Sequence, residues 1–314
     1  MDKIQLISEI RRLKTEKNAV IMAHYYQEDD IQNIADFIGD SLALAQQAAK
    51  TEADIIVLCG VHFMGETAKI ISPQKKVLIP DVDAGCSLAD SCPADKFEDF
   101  IKAHPGHTVI SYVNTSASVK ALTDIVVTST NAAAIIQSLP KDEKIIFGPD
   151  RNLGNYLNGL TERKMIIWDG ACHVHEQFSV EAIIDLKKKH PNAKLIAHPE
   201  CKKVILLLSD FIGSTASLLK YAQRSDYNEF IVATESGILH EMKKSCPGKL
   251  FIPAPPEDVS CACNECSFMR LNTLQKLHDC LLNETPSIEI PEELRLKAYK
   301  SIKRMLDLSK NLGL

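Results

Sequence analysis

Ten cysteines stand in this 314-residue chain: Cys59, Cys86, Cys92, Cys172, Cys201, Cys246, Cys261, Cys263, Cys266 and Cys280. A deprotonated thiol is both a nucleophile and a soft metal ligand, so cysteine is the first residue to ask about chemistry. Taken singly, each reads as a small buried hydrophobe. Placement sets some apart. Cys86 and Cys172 lie 86 residues apart in the loops GCSLADSC and GACHVH, and a third such loop, CACNECS, offers Cys261, Cys263 and Cys266. One thiolate from each loop would give three at one place. Structural zinc takes four ligands, and a [4Fe–4S] cluster normally takes four cysteines. A cluster held by three keeps one iron open to a substrate oxygen, as a Lewis acid. Two other readings stay open on these residues alone. Cys261, Cys263 and Cys266 could bind zinc with His173 or His175, and the C-x-x-C pair Cys263–Cys266 could cycle redox.

The second set of candidates is polar. His24, Tyr112 and His198 end short apolar runs, 88 and 86 residues apart, and two residues beyond them stand Tyr26, Asn114 and Glu200. His, Tyr and Glu move protons near neutral pH when burial shifts their pKa. Seventeen residues beyond the same anchors come Ser41, Ser129 and Thr215, in DFIGDS, DIVVTS and DFIGST. Each is expected at a helix start as an N-cap, where a hydroxyl and free amides also suit an anion. Three such places fit a substrate with several negative groups. His62, His104, His107, His190, His240 and His278 have no counterparts and receive no role.

These residues need elements that bring them together. Apolar runs such as NAVIMAHY, DIIVLCG, HTVISYV, EKIIFG, AKLIAH and NEFIVA read as parallel strands buried on both faces, alternating with amphipathic helical stretches. The third strand of each unit should end 36 residues past the anchor, at Gly60, Gly148 and Thr234. Each unit therefore reads strand, helix, short strand, helix, strand, helix, strand, cysteine loop. Ligands of parallel sheets bind beyond the carboxyl ends of strands, where all these candidates lie. The fold expected is α/β, with three homologous units and parallel sheets around a pseudo-threefold axis; a solenoid is the alternative. The boundaries expected are 1–86, 87–172 and 173–314, the last unit carrying C-terminal covering helices. An amphipathic helix is expected in MDKIQLISEIRRLKTEK at the N-terminus, and another in PEELRLKAYKSIKRMLDLSKNLGL at the C-terminus.

Composition is that of an ordinary globular protein, with 45% hydrophobic and 25% charged residues. A net charge of −5 without a long Lys/Arg block argues against nucleic acid. No apolar run reaches a membrane span, and no signal peptide is evident, so a cytoplasmic location is expected. There, thiols and metal ligands outrank disulfides.

The sequence resembles the quinolinate synthase family of NAD biosynthesis. The motifs that carry the resemblance are AHYYQ (23–27), GDS (39–41), AGCSLADSC (84–92), SYVNTSA (111–117), TSTNA (128–132), WDGACHVHE (168–176), AHPEC (197–201), GST (213–215), ATESG (233–237) and CNECSFMRLN (263–272). The resemblance implies three α/β/α sandwich domains around the axis and a [4Fe–4S] cluster on Cys86, Cys172 and Cys266. Cys266 is preferred over Cys263 because an aromatic–Met–x–x–Asn run follows it; where the family often has proline next, this chain has Ser267. The implied reaction joins iminosuccinate (iminoaspartate) to dihydroxyacetone phosphate, releasing phosphate and water as quinolinate closes. Tyr26, His198 and Glu200 would move protons, while His24, Ser41, Tyr112, Asn114, Ser129 and Thr215 hold carboxylates or phosphate, with His198 and Glu200 also touching substrate. L-Aspartate oxidase or aspartate dehydrogenase would be the functional partner supplying iminosuccinate. The competing readings are another hydro-lyase with the same open iron, an iron–sulfur carrier and a zinc-stabilised binding protein.

Overall fold

A computed structural model describes residues 1–258 and 264–314. Cys261 and Cys263 therefore lie outside the described residues. Among the described residues, twelve strands form three four-stranded sheets in which every strand pair is parallel. The first holds β1 (Ala19–His24), β2 (Phe37–Gly39), β3 (Ile55–Cys59) and β4 (Lys76–Leu78) in the order β2-β1-β3-β4. The second, β6-β5-β7-β8, uses β5 (Thr108–Tyr112), β6 (Ile125–Val127), β7 (Ile145–Gly148) and β8 (Ile166–Ile167). The third, β10-β9-β11-β12, uses β9 (Lys194–Ala197), β10 (Phe211–Ile212), β11 (Glu229–Ala233) and β12 (Leu250–Pro253). The three expected α/β/α units are present in one repeated topology.

The repeat reaches the level of register. Met22 faces Phe37, Ile110 faces Ile125 and Ile196 faces Phe211, all at equivalent positions. The aspartate opening each edge-strand phrase explains why the phrase recurs. Asp36, Asp124 and Asp210 accept the backbone N–H of Ile21, Val109 and Leu195 at 2.9, 2.8 and 2.8 Å, pinning edge strand to central strand. The 36-residue step needs one correction. Ala23 pairs with Cys59 and Ala197 with Ala233, but Ser111 pairs with Gly148. The second unit carries one extra residue between those strands, so a constant step slips by one there.

Alternate strand residues point to opposite faces. In the first sheet Ile21, Ala23, Ile55 and Val57 pack on one side with Ile10 and Leu13 of helix Lys3–Glu16 and Leu277 of helix Leu274–Asn283. Met22, Ile56 and Leu58 pack on the other with Leu44 and Phe63. Burying each large apolar side chain contributes about 1.5–3 kcal/mol. That gain, made mostly by the central strands, supports the sheets, since two-residue edge strands such as β8 and β10 are only half-buried and make few ladder bonds. Both terminal helices form where the amphipathic pattern places them. The last, Glu292–Asn311, lies against helices Ala117–Ala121 and His62–Ile71 and strand β6, so it covers the first and second units. One polar contact joins all three units: Thr130 Oγ1 hydrogen-bonds to Asp40 Oδ2 at 2.6 Å and Ser214 Oγ at 2.8 Å.

Asp124→Ala is expected to lower stability by about 1–2 kcal/mol, the worth of a carboxylate hydrogen bond to backbone. A urea unfolding midpoint equal to wild type would show that the tie contributes nothing.

Candidate active site and metal centre

The carboxyl ends of the three sheets face one cavity, with about 680 Å³ of space outside the atoms, its open mouth included. The twelve residues to which the resemblance gives a site role all line it: Cys86, Cys172, Cys266, His24, Tyr26, Ser41, Tyr112, Asn114, Ser129, His198, Glu200 and Thr215. His24 and Tyr112 are the last residues of β1 and β5, and His198 directly follows β9. The backbone N–H two residues on donates to the imidazole Nδ1 in both histidine units, Tyr26 to His24 at 3.2 Å and Glu200 to His198 at 3.4 Å. A ring whose Nδ1 accepts carries its hydrogen on Nε2. Burial lowers both histidines to about 3, so each is a neutral Nε2–H donor at physiological pH.

The cap expectation requires correction. Ser41 and Thr215 are the first helical residues, not caps; Asp40 caps helix Ser41–Lys50 through Ala43 N, and Ser214 caps helix Thr215–Arg224 through Ser217 N. Ser129 lies two residues before Asn131, which precedes helix Ala132–Ser138. The carboxylate of Asp40 is the better acceptor for the amide. The neighbouring hydroxyls are thereby left to line the cavity rather than close a helix end.

A chain of polar contacts runs through the site. Tyr112 donates to Glu200 Oε1 at 2.6 Å. His175 Nδ1 stands 3.2 Å from Glu200 Oε2, out of line for a hydrogen bond, and its Nε2 pairs with Thr234 Oγ1 at 2.9 Å. Tyr26 Oη lies between Thr234 Oγ1 at 2.8 Å and Thr215 Oγ1 at 2.7 Å. Burial pushes both tyrosines well above the usual phenol value, and the Glu200 charge pushes the same way, so both keep their protons. Burial raises Glu200, but the pull of His175 and the hydrogen bond from the Tyr112 hydroxyl outweigh it and leave it below the usual carboxylate range. The cavity thus joins an ionised carboxylate, two phenols and two neutral imidazoles.

Sequence reasoning missed Thr234, Glu235 and the place of His175 in this chain. Thr234 had a signal, being the hydroxyl where the strand register puts Gly60 in the first unit and Pro149 in the second. Glu235 had none. Its carboxylate accepts from Cys266 N at 3.1 Å, Gly237 N at 2.7 Å and Arg270 Nη2 at 2.9 Å. Burial raises it to about 7 against the pull of Arg270.

The three cysteines share one local geometry. Cys86 and Cys172 precede the short helices Ser87–Asp90 and His173–Glu176, and Cys266 precedes the turn Met269–Leu271. Backbone N–H groups two or three residues on point at each sulfur: Leu88 and Ala89, then His175, then Phe268 and Met269. Those amides favour thiolate. Burial opposes them and dominates, raising Cys86 to about 12 and Cys172 well above the usual thiol value, with further repulsion among the three sulfurs. Thiols this costly to ionise and this close in one cavity fit a cationic metal centre, which supplies the missing positive charge. Cys172, His175 and Glu200 also bring ligand atoms within 4.8 Å of one another. Of the zinc set drawn from the third loop, only Cys266 lies among the described residues.

His24 and His198 bind protons in the unfolded chain near pH 6.5 but resist them when folded, so stability is lost as pH falls below about 6.5. The metal-free chain should have a lower urea midpoint at about pH 5 than at about pH 7, with a smaller drop for His24→Gln. Equal drops in the two proteins would contradict the neutral, buried imidazole.

The sequence has relatives among known proteins. The model of the quinolinate synthetase A protein family matches residues 8–307. A quinolinate synthase of Thermosynechococcus vestitus is 58% identical over 306 residues, 98% of this chain and 96% of the relative. That of Chloroherpeton thalassium is 57% identical over 310 residues, 99% of this chain and 96% of the relative. With the family's match running through all three sheets and every cavity loop, the chain belongs to the quinolinate synthetase A protein family.

Proposed function

We propose that this chain condenses iminosuccinate with dihydroxyacetone phosphate to quinolinate, releasing phosphate and two waters, as a cytoplasmic transferase with a [4Fe–4S] cluster. The observation that carries the reading is the convergence of three cysteine turns and the anion-binding hydroxyls on one cavity. We take the units as 1–86, 87–172 and 173–314, each supplying one ligand: Cys86, Cys172 and Cys266. When bound by three thiolates, such a cluster supplies a Lewis acid toward a substrate oxygen or nitrogen. L-Aspartate oxidase or aspartate dehydrogenase would provide the unstable imine.

The chain's own residues supply binding and proton movement. Neutral His24 and His198 donate Nε2–H to carboxylate or phosphate oxygens. The Ser41, Ser129 and Thr215 hydroxyls and the Asn114 amide complete an anion cradle. Such donors serve substrate and product alike, since both are polyanionic. Glu200, ionised, accepts a proton at Oε1 or Oε2 during isomerisation. Tyr26, still protonated, donates through Oη to a departing hydroxyl, and Thr215 and Thr234 orient that phenol. Tyr112 donates to Glu200 and so holds the base in place.

A mononuclear zinc reading has one supporting observation, the Cys172, His175 and Glu200 cluster. Anaerobic purification separates the two: iron with inorganic sulfide supports the cluster, zinc alone the other. Quinolinate formation from the two named substrates should then be seen with wild type. Tyr26→Phe should lower kcat by about 10²–10⁴ with iron retained. Cys86→Ser, Cys172→Ser and Cys266→Ser should lose iron and activity together. Loss on Cys263→Ser with retention on Cys266→Ser would overturn the third ligand.

A further inference from the structure

Two buried polar side chains outside the cavity occupy the same place in two units. Gln32 in helix Asp29–Ile34 and Lys120 in helix Ala117–Ala121 are 88 residues apart, the same offset that relates His24 to Tyr112. Gln32 is 1% exposed and Lys120 fully buried. Side chains this polar and this buried need partners that justify their desolvation.

Their partners are also equivalent. Gln32 Nε2 lies 3.0 Å from Tyr25 O and 2.7 Å from Gln27 O, the carbonyls on either side of Tyr26. Lys120 Nζ donates to Val113 O at 2.8 Å and to Thr115 O, the carbonyls on either side of Asn114. In each unit one side chain pins both carbonyls flanking a cavity residue. Gln32 Nε2 also lies 2.9 Å from Gly237 O, so its two hydrogens are shared among three carbonyls and tie the Tyr26 loop to the third unit. The contact there is tight: a Cβ on Gly237 would lie 2.8 Å from Tyr26 Cα. Lys120 Nζ also sits 5.3 Å from the ring centre of Phe63, which lines the cavity. The third unit solves the problem otherwise. Leu206 holds the register position, and Asn152 Nδ2 of the second unit takes the Glu200 carbonyl at 3.0 Å.

We infer that Gln32 and Lys120 are positioning residues, each clamping the loop that aims one cavity residue, Tyr26 and Asn114 respectively. The inference deepens the function proposed above and rests on it for its kinetic consequences. A side chain aimed from a loop after a strand is free to swing unless its flanking peptides are fixed, and a displacement near 1 Å costs about 10²-fold in rate. The clamp matters through hydrogen bonds, so the first unit's residue should serve in the second. Lys120→Gln should therefore work where Lys120→Met does not.

The test combines amide hydrogen exchange with quinolinate-forming kinetics on the metal-loaded protein. Lys120→Met should speed exchange in 111–117 and leave 23–28 unchanged; Gln32→Met should do the reverse. Gln32→Met should chiefly lower kcat, through Tyr26, and Lys120→Met chiefly raise KM, through Asn114, each by about tenfold or more. Lys120→Gln should restore both exchange and KM to within about threefold of wild type. Unchanged exchange in both methionine variants would overturn the clamp, as would a Lys120→Gln variant no better than Lys120→Met, which would point to the charge instead. If wild type makes no quinolinate, the proposed function falls, and the exchange pattern alone decides the clamp.

Discussion

Three half-buried thiols crowded into one small space resist losing their protons. Burial alone raises each, every sulfur that ionises makes the next harder, and Cys86 reaches about 12. A structure that holds such a set has to fix the sulfurs before any cation arrives, because the sulfurs do not attract one another. Here the fixing is done by backbone. Each cysteine starts a tight turn whose amides point at its own sulfur, and each turn leaves the end of a parallel sheet. The polar residues face the same centre for the same topological reason. The first and second units share a large apolar core against which Cys86, Cys172, Cys266 and Tyr26 all pack, so the site's floor rests on well-packed side chains.

Much of this arrangement is legible in the chain because a repeat makes position meaningful. His24, Tyr112 and His198 are unremarkable singly, yet their common offset places them at equivalent strand ends, and all three line the cavity. The same offset carries Ser41, Ser129 and Thr215 to the cavity wall. What pattern cannot supply is the division of labour between neighbours. Asp40 and Ser214 rather than Ser41 and Thr215 cap their helices, because capping depends on which side chain can reach the third amide. A one-residue insertion in the second unit shifts Gly148 against its counterparts and is invisible until strands pair.

The roles that escaped notice are those fixed by contacts rather than by position in the repeat. His175 links Glu200 to Thr234, and Thr234 links onward to Tyr26, across contacts 59 and 208 residues apart in sequence. Gln32 and Lys120 differ in type, charge and length, so no motif joins them; only their carbonyl partners show the shared purpose. Covering helices at both chain ends likewise pack where the surfaces match, and the last of them lies over the first two units.

The central claim is that Cys86, Cys172 and Cys266 together hold one cluster with a position left for substrate. Mössbauer spectroscopy of anaerobically iron-loaded protein, recorded before and after adding quinolinate, addresses it most directly. The account predicts a [4Fe–4S] spectrum in which one iron differs from the rest and alone responds to quinolinate. A mononuclear site, or a cluster whose irons all ignore the ligand, would contradict it.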